Sequence, residues 1–112
     1  MKYILFIYPD RAVELDPQEK ATIPAAVAAW VEEMGRRGVR EQGHVLTPIT
    51  EATTVRVRRG ELLVKDGPVA DGALQISGFN ILDCADAEEA LEVAAKHPVA
   101  KFGILELRPF AE

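Results

Sequence analysis

The stretch that decides the fold is MKYILFIYPD, residues 1–10. Residues 2–8 are rich in Ile, Phe and Tyr, and Pro9 interrupts the run, so the pattern predicts a β-strand. Both alternating sets of side chains are apolar, namely Tyr3, Leu5 and Ile7 on one side and Ile4, Phe6 and Tyr8 on the other. A strand that is apolar on both sides is typical of a sheet whose two faces are both covered.

Downstream of this strand, the residues predict a helix with clear start and stop signals. Asp16 can cap the helix, Pro17 suits its first position, and Glu19 can complete a capping box. Gly38 stands where a helix often ends on a glycine. Pro24 lacks a backbone donor and crowds the preceding turn, so we expect a kink or a restart of the helix there.

The rest of the chain predicts strands and one more helix. A hairpin is expected around Arg59-Gly60, and a second helix is expected between Asp86 and Pro98. The expected strands cover residues 39–46, 53–58, 61–65, 74–83 (interrupted near Gly78) and 103–108.

This order of elements predicts a single α+β domain over residues 1–112. Without the hairpin, the order is βαββαβ, which is the ferredoxin-like pattern, here with an inserted β-hairpin. Two helices can cover only one face of such a sheet, whereas the first strand is apolar on both faces. The sequence therefore predicts a homodimer in which two sheets pack face to face, as in a dimeric α/β barrel.

Composition narrows the classes of partner and compartment. The net charge is −5 and the sequence pI is near 5.1, so neither nucleic acid nor a membrane surface is an expected partner. Cys84, the single cysteine, follows an apolar run and is expected to be buried, and a lone cysteine fits a reducing compartment. No signal-peptide or membrane-span pattern stands out, so a cytoplasmic location is expected. The histidine and cysteine spacings indicate no metal site, and no nucleotide-binding loop is visible, so any chemistry is expected to be cofactor-free.

Several motifs together resemble the YCII-related (DGPF) family over nearly the whole chain. They are Gly43-His44-Val45-Leu46, the hairpin from Thr53 to Gly60, Asp66-Gly67-Pro68-Val69, Gly78-Phe79, His97-Pro98 and Glu106-Leu107-Arg108-Pro109. The resemblance implies a ferredoxin-like dimer with a site of polar residues. Some members are thought to use a histidine on the first helix with an acidic residue for elimination chemistry, and this first helix has no histidine. Segment 69–75 also lacks the charged run usual in the family, which suggests a more apolar pocket.

His44 is the strongest candidate for chemistry. An imidazole titrates near neutral pH, and strand alternation places His44 on one face with Arg40 and Gln42. Asp66 and Glu106 are candidate carboxylate partners for it. The alternatives remain open: His44 as a hydrogen-bonded structural residue, Asp66 as a turn residue that accepts backbone N–H groups, and Glu106 as a surface charge.

Six further residues are candidates for contacting a ligand, because they are polar groups at strand ends or could form the wall of an apolar pocket. They are Tyr8, Asp10, Gln42, Gln75, Asn80 and Trp30. Each also has a structural interpretation, such as the helix stripe for Trp30. His97 is interpreted as structural, with its positive form suited to the end of a helix.

Two functions from different classes fit these observations. The first is a small cofactor-independent enzyme that performs acid/base chemistry (elimination, isomerisation or cyclisation) on a small, partly apolar metabolite. The second is a non-catalytic dimeric protein that binds a ligand or acts as a regulatory accessory. The missing family histidine favours the second hypothesis, and the family resemblance favours the first.

Overall fold

The computed structural model describes residues 1–111, and the order of its elements is the predicted one. The elements are β1 (Lys2–Pro9), α1 (Pro17–Arg36), β2 (Arg40–Val45), β3 (Thr53–Arg58), β4 (Glu61–Asp66), β5 (Gly78–Asp83), α2 (Ala87–Ala95) and β6 (Gly103–Pro109), with short 3-10 helices at Ile49–Glu51 and Pro98–Lys101.

A four-stranded sheet with the order β2-β5-β1-β6 forms the centre of the molecule, and every neighbouring pair in it is antiparallel. Leu5 in β1 lies opposite Asn80 in β5 and Leu107 in β6, which sets the register. The protein therefore has an α+β fold with an antiparallel sheet and two helices. β1 and β2 are separated by β5, so the segment β1-α1-β2 is a split βαβ unit.

The two faces of this sheet have different surroundings, because side chains that lie opposite one another across strands point to the same side. The covered face packs against the helices, and it consists of Tyr3, Leu5, Ile7, Gly78, Asn80, Leu82, Leu105 and Leu107. On the open face, no helix formed by residues 1–111 covers the sheet. This face consists of Ile4, Phe6, Tyr8, Gln42, His44, Phe79, Ile81, Ile104, Glu106 and Arg108. The core lies between the covered face and the helices, where Leu5, Met34, Leu82 and Val93 are fully buried.

Both ends of α1 form as the sequence predicts. Asp16 accepts a hydrogen bond from the backbone N–H of Glu19, whose side chain accepts one from the backbone N–H of Asp16. At the other end Gly38 has a φ of +73°. Its N–H donates to the Gly35 carbonyl and the Val39 N–H donates to the Met34 carbonyl, which is a Schellman motif.

Of the two outcomes expected at Pro24, a kink or a restart of the helix, the restart is wrong, because α1 is a single helix from Pro17 to Arg36. Proline removes the hydrogen bond that would reach the carbonyl four residues earlier, which is that of Lys20. Lys20 and Pro24 are both exposed, so water can hydrogen-bond that carbonyl. Packing of the buried side chains Trp30 and Met34 stabilises the helix beyond that point.

The predicted strand over residues 74–83 is shorter than expected. β5 begins at Gly78, and upstream of it only Leu74 pairs, in an isolated bridge with Asp10. A Cβ atom on Gly78 would lie 2.9 Å from the His44 carbonyl oxygen, so the close approach of β2 requires glycine. Among the described residues, no helix is both long and apolar enough to cross a membrane.

The predicted hairpin is present and forms a separate two-stranded sheet, which we call the arm (Thr53–Asp66). Its two-residue turn, Arg59-Gly60, has φ values of +53° and +78°, as a tight hairpin turn requires. Apart from Thr54, all residues of β3 and β4 are exposed. The radius of gyration is 16.2 Å, against about 13 Å for a compact chain of this length. The arm therefore extends away from the body, which we define as the rest of the chain.

Candidate functional site

A cleft of about 180 Å³ opens between α1 and the edge of the sheet formed by β2 and β5. Its apolar walls include Ile7, Val27, Trp30, Val31 and Val99, and its polar groups include Arg40, Ser77, Asn80 and His97. For scale, an engineered apolar cavity of about 150 Å³ binds benzene. The cleft therefore has room for a molecule built on a single ring.

Arg40 reaches the cleft because β2 contains a β-bulge. The register shifts between Arg40 and Gln42, so Arg40 lies opposite Leu82 of the covered face, whereas Gln42 lies opposite Ile81 of the open face. The prediction that Arg40 shares a face with Gln42 and His44 is therefore wrong, since one extra residue reverses strand alternation. Glu41, the extra residue, pairs with Lys2 at 2.7 Å.

Asn80 holds the Arg40 guanidinium in place. The Nε of Arg40 donates to the Oδ1 of Asn80 at 2.8 Å, and Asn80 is buried. Gly43 lies directly beneath this pair, and a Cβ atom there would overlap the Asn80 and Arg40 side chains. Within residues 1–111, no carboxylate forms a salt bridge with Arg40, which is half-buried. Its terminal nitrogens thus remain able to bind an anionic group from outside the chain.

His97 contributes a second nitrogen group to the cleft. Its predicted structural role is confirmed, because it caps the 3-10 helix at Pro98–Lys101, whereas the positive form that would suit a helix end is not the form present near pH 7. The side chain is only 3% exposed, and burial lowers the pKa of its imidazole to about 4, so it is neutral near pH 7. Its Nδ1 accepts a hydrogen bond from the backbone N–H of Val99 at 3.1 Å. The proton of the neutral ring is therefore assigned to Nε2, which makes His97 a hydrogen-bond donor.

Trp30 fixes the wall of the cleft next to His97. Its Nε1 donates to the Val93 carbonyl at 3.0 Å, and its ring meets the His97 ring edge to face at 4.7 Å between centroids. The predicted position of Trp30 in the core is confirmed, since it is buried, and it also lines the cleft.

The nitrogen groups of the cleft share one chemical property. Within residues 1–111 the amide nitrogen of Asn80 has no hydrogen-bond partner, and it is not completely sealed from solvent, so it can donate to a ligand in the cleft. The same argument applies to Nε2 of His97. Together with the terminal nitrogens of Arg40, these groups are all donors, so the cleft suits a ligand with electron-rich oxygen atoms.

The structure brings four of the predicted site residues to the open face instead. His44 is exposed, and its ring lies 5.7 Å from that of Phe79. The hydroxyl of Tyr8 donates to Glu106 at 3.3 Å, and burial, followed by the charge of Glu106, raises the pKa of Tyr8. Gln42 is exposed on the same face.

His44 and Glu106 occupy the two ends of one row across the open face. The row runs from His44 through Phe79 and Phe6 to Glu106, over all four strands. Three strand spacings separate its ends by about 14 Å. Within one chain the two side chains therefore do not form an acid–base pair.

The remaining three predicted site residues lie elsewhere. Asp66 is at the end of β4 in the arm, where it pairs with Thr53, and no hydrogen bond recorded in residues 1–111 joins it to His44. Asp10 accepts a hydrogen bond from the backbone N–H of Ala12 in the turn after β1. Gln75 donates to the carbonyls of Ala70 and Gly72, so it holds its own loop together.

Sequence reasoning missed Arg40 and His97 as cleft residues. No local pattern marks the bulge that turns Arg40 inward, and the burial of His97 depends on Trp30, which is 67 residues away in the chain. Among the described residues, no group of three or more His, Cys, Asp or Glu side chains is placed to hold a metal ion.

Comparison with known proteins agrees with the resemblance found in the sequence. The sequence of residues 1–112 matches the family model of the YCII-related domain. An uncharacterized protein of Rhizobium meliloti (strain 1021), R00369, is 34% identical over 119 residues, which cover 99% of this chain and 93% of the relative.

A solved structure shares the fold at low sequence identity. It is 5-chloro-2-hydroxyhydroquinone dehydrochlorinase (TftG) from Burkholderia phenoliruptrix AC1100, in complex with 2,5-dihydroxybenzoquinone. The TM-score is 0.53 with 13% identity, and the match covers 100% of this chain and 95% of the other. The full-length family match and the R00369 relative together show that the chain belongs to the YCII-related domain family.

Proposed function

We propose that the protein binds a ring-sized, oxygen-bearing metabolite in the cleft and catalyses cofactor-free proton-transfer chemistry on it, of the elimination or isomerisation type. The observation that carries this proposal is the set of three nitrogen donors, from Arg40, Asn80 and His97, at the wall of an otherwise apolar cleft. The dehydrochlorinase that shares the fold acts, by its name, on a small ring compound, which supports the same class of substrate.

The donors suit the charge that such a reaction develops. When a base removes a proton from a ring hydroxyl or an adjacent carbon, the electron pair moves toward an oxygen or expels a leaving group as its anion. Preorganised donors stabilise the resulting negative oxygen. A neutral His97 would act here as a hydrogen-bond donor, as neutral imidazoles do when they polarise a substrate carbonyl.

The base is proposed to come from outside this donor set. His97 does not act as the base near neutral pH, because its Nδ1 already accepts a hydrogen bond and its pKa is about 4. His44 remains the proposed acid or base: the residue is among those that line the cleft, and its exposed ring, which lies on the open face, would have to reach the ligand around the outer edge of β2. Asp66 and Glu106 remain proposed partners that a single chain does not bring to His44.

Ligand binding without turnover is the second candidate. It is favoured by a specific observation, which is that the part of the chain described by the structure places no carboxylate among the residues that line the cleft. In that case, the donors would hold an anionic effector, and the protein would act as a ligand-binding accessory.

Calorimetry with 2,5-dihydroxybenzoquinone and hydroxybenzoates, together with a chloride-release assay on 5-chloro-2-hydroxyhydroquinone, tests the proposal. Arg40→Met should weaken binding by about 10-fold or more, because hydrogen bonds to charged groups contribute roughly 1.5–3 kcal/mol. Arg36→Met, at the exposed end of α1, is the matched control and should bind like the wild type.

The outcomes separate the two functions. Turnover that disappears in His44→Ala while binding persists supports the enzyme and the proposed base. Binding without release of chloride or any other product supports the accessory protein. Equal affinity in Arg40→Met and the wild type contradicts both, because both place the ligand against Arg40.

A further inference from the structure

The charge of the cleft is not balanced by the residues around it. Arg40 carries a fixed positive charge, and within residues 1–111 no carboxylate lines the cleft beside it. His97 adds no charge near pH 7, because burial lowers the pKa of its imidazole to about 4. His44 belongs to the lining, but its ring lies on the open face. The cleft therefore presents one uncompensated positive charge in a protein whose net charge is −5.

The residue that holds Arg40 is an amide, whereas a carboxylate is the strongest partner for a guanidinium. Asn80 accepts the hydrogen bond from Nε of Arg40 on its Oδ1, and it is only 5% exposed. An aspartate has nearly the same shape and could accept the same hydrogen bond, but it would also neutralise the guanidinium. Asparagine at this position thus fixes the direction of Arg40 and leaves its charge for a ligand.

The rest of the cleft favours an uncharged, apolar ring. A charged group that is buried against apolar side chains loses its water without gaining a partner, so the negative charge of a ligand belongs beside Arg40. The guanidinium fork matches the two oxygens of a carboxylate, and the Asn80 amide nitrogen adds a neighbouring donor. The apolar walls that remain for the ring are those of Ile7, Val27, Val31 and Val99.

We propose that Asn80 makes the cleft selective for ring compounds with one ionised carboxylate over neutral compounds of the same shape. The carboxylate binds the terminal nitrogens of Arg40 and the amide nitrogen of Asn80, and the ring packs on the apolar walls. This inference rests on the proposed function only in that a ring compound binds in the cleft, and it does not depend on turnover.

Calorimetry with benzoate and benzamide tests the selectivity directly, because the two ligands share a ring and differ in charge. The wild type should bind benzoate at least about 10-fold more tightly, since hydrogen bonds between charged groups are stronger than those to a neutral amide. Trp30 is the single tryptophan of the chain and part of the cleft wall, so a change in its fluorescence reports that the ligand is in the cleft.

Asn80→Asp changes the charge of the cleft with little change in its shape. It should weaken benzoate binding by about 10-fold or more and leave benzamide within a few-fold of the wild type, so the preference disappears. Arg40→Gln removes the positive charge and should abolish the preference as well. Gln18→Glu is the matched control, because it makes the same amide-to-carboxylate change at an exposed position in the first turn of α1, and it should keep the preference.

The ratio of the two affinities separates lost selectivity from a damaged fold, because a variant that has lost the cleft loses both ligands. Circular dichroism and thermal melting establish that each variant is folded. Equal binding of benzoate and benzamide by the wild type overturns the inference and leaves the proposed function standing, and a preference that persists in Asn80→Asp does the same. Failure of the wild type to bind either ring compound at about 10 mM overturns the inference and the proposed function together.

Discussion

The covered face of the sheet and the arm use the same kind of side chain in opposite surroundings. Leu82, on the covered face, is fully buried against the helices, whereas Leu62, on the arm, is 63% exposed. Both belong to antiparallel strands with an apolar side. The comparison teaches that strand pattern alone does not specify what covers an apolar face, which can be a helix of the same chain or another molecule.

A matched pair of substitutions tests this comparison with the largest expected effect. Leu82→Ala should lower the free energy of unfolding by about 2–5 kcal/mol, because it leaves a cavity in a packed core. Leu62→Ala should change it by less than about 0.5 kcal/mol at concentrations where the chain is monomeric. Chemical denaturation of both variants at low protein concentration makes the measurement, and similar losses would contradict the contrast.

Acid titration of the buried His97 tests the covered side of the molecule separately from the arm. The pKa of His97 falls from 6.5 to about 4 on folding, so the folded state binds fewer protons between these values. The contribution of His97 to the free energy of unfolding is therefore fully present above about pH 6.5. It decreases as the pH falls toward 4, by roughly 3 kcal/mol in total. The free energy of unfolding, measured from pH 7 to pH 5, should show this slope.

His97→Asn is the control for that titration. An asparagine can still accept a hydrogen bond from the Val99 N–H but does not titrate, so the slope between pH 6.5 and pH 5 should flatten. The carboxylate of Glu92, whose pKa is lowered to about 2 mainly by its hydrogen bonds to Arg37, titrates below this window. An unchanged slope in His97→Asn would show that another group is responsible.

The smallest predicted effect concerns the N-terminal cap of α1, which involves only residues within the first turn of the helix. Asp16→Ala removes the cap of α1 and should cost about 1 kcal/mol. Asp16→Ser keeps an acceptor for the Glu19 N–H and should recover most of that loss. The effect should not vary with protein concentration, because the cap is formed within one chain. A loss that grows on dilution would instead connect the start of α1 to contacts between copies of the chain.

Several features of the fold could be predicted from the sequence because they rest on short-range interactions. The capping box at Asp16, the glycine end at Gly38 and the turn at Arg59-Gly60 each involve residues a few positions apart. Their chemistry is therefore visible in a short stretch of sequence. The same holds for the order of strands and helices, and for the family, whose motifs recur along the whole chain.

The candidate site was predicted only in part, for the opposite reason. Trp30 and Asn80 were identified and do line the cleft. Arg40 and His97 were not, because a bulge reversed the direction of one side chain and packing against a distant tryptophan buried the other. Neither the bulge nor the burial can be recognised from the residues next to Arg40 or His97 in the sequence.

The sequence by itself determined the elements, their order and the apolar character of both sides of β1. Only the tertiary structure decided which side of the sheet the helices cover, and which nitrogen groups line the cleft. It also decided that the arm stands apart from the body. The physical reason is that caps and turns depend on neighbours along the chain, whereas burial and hydrogen-bond partners depend on residues that meet only after the chain has folded.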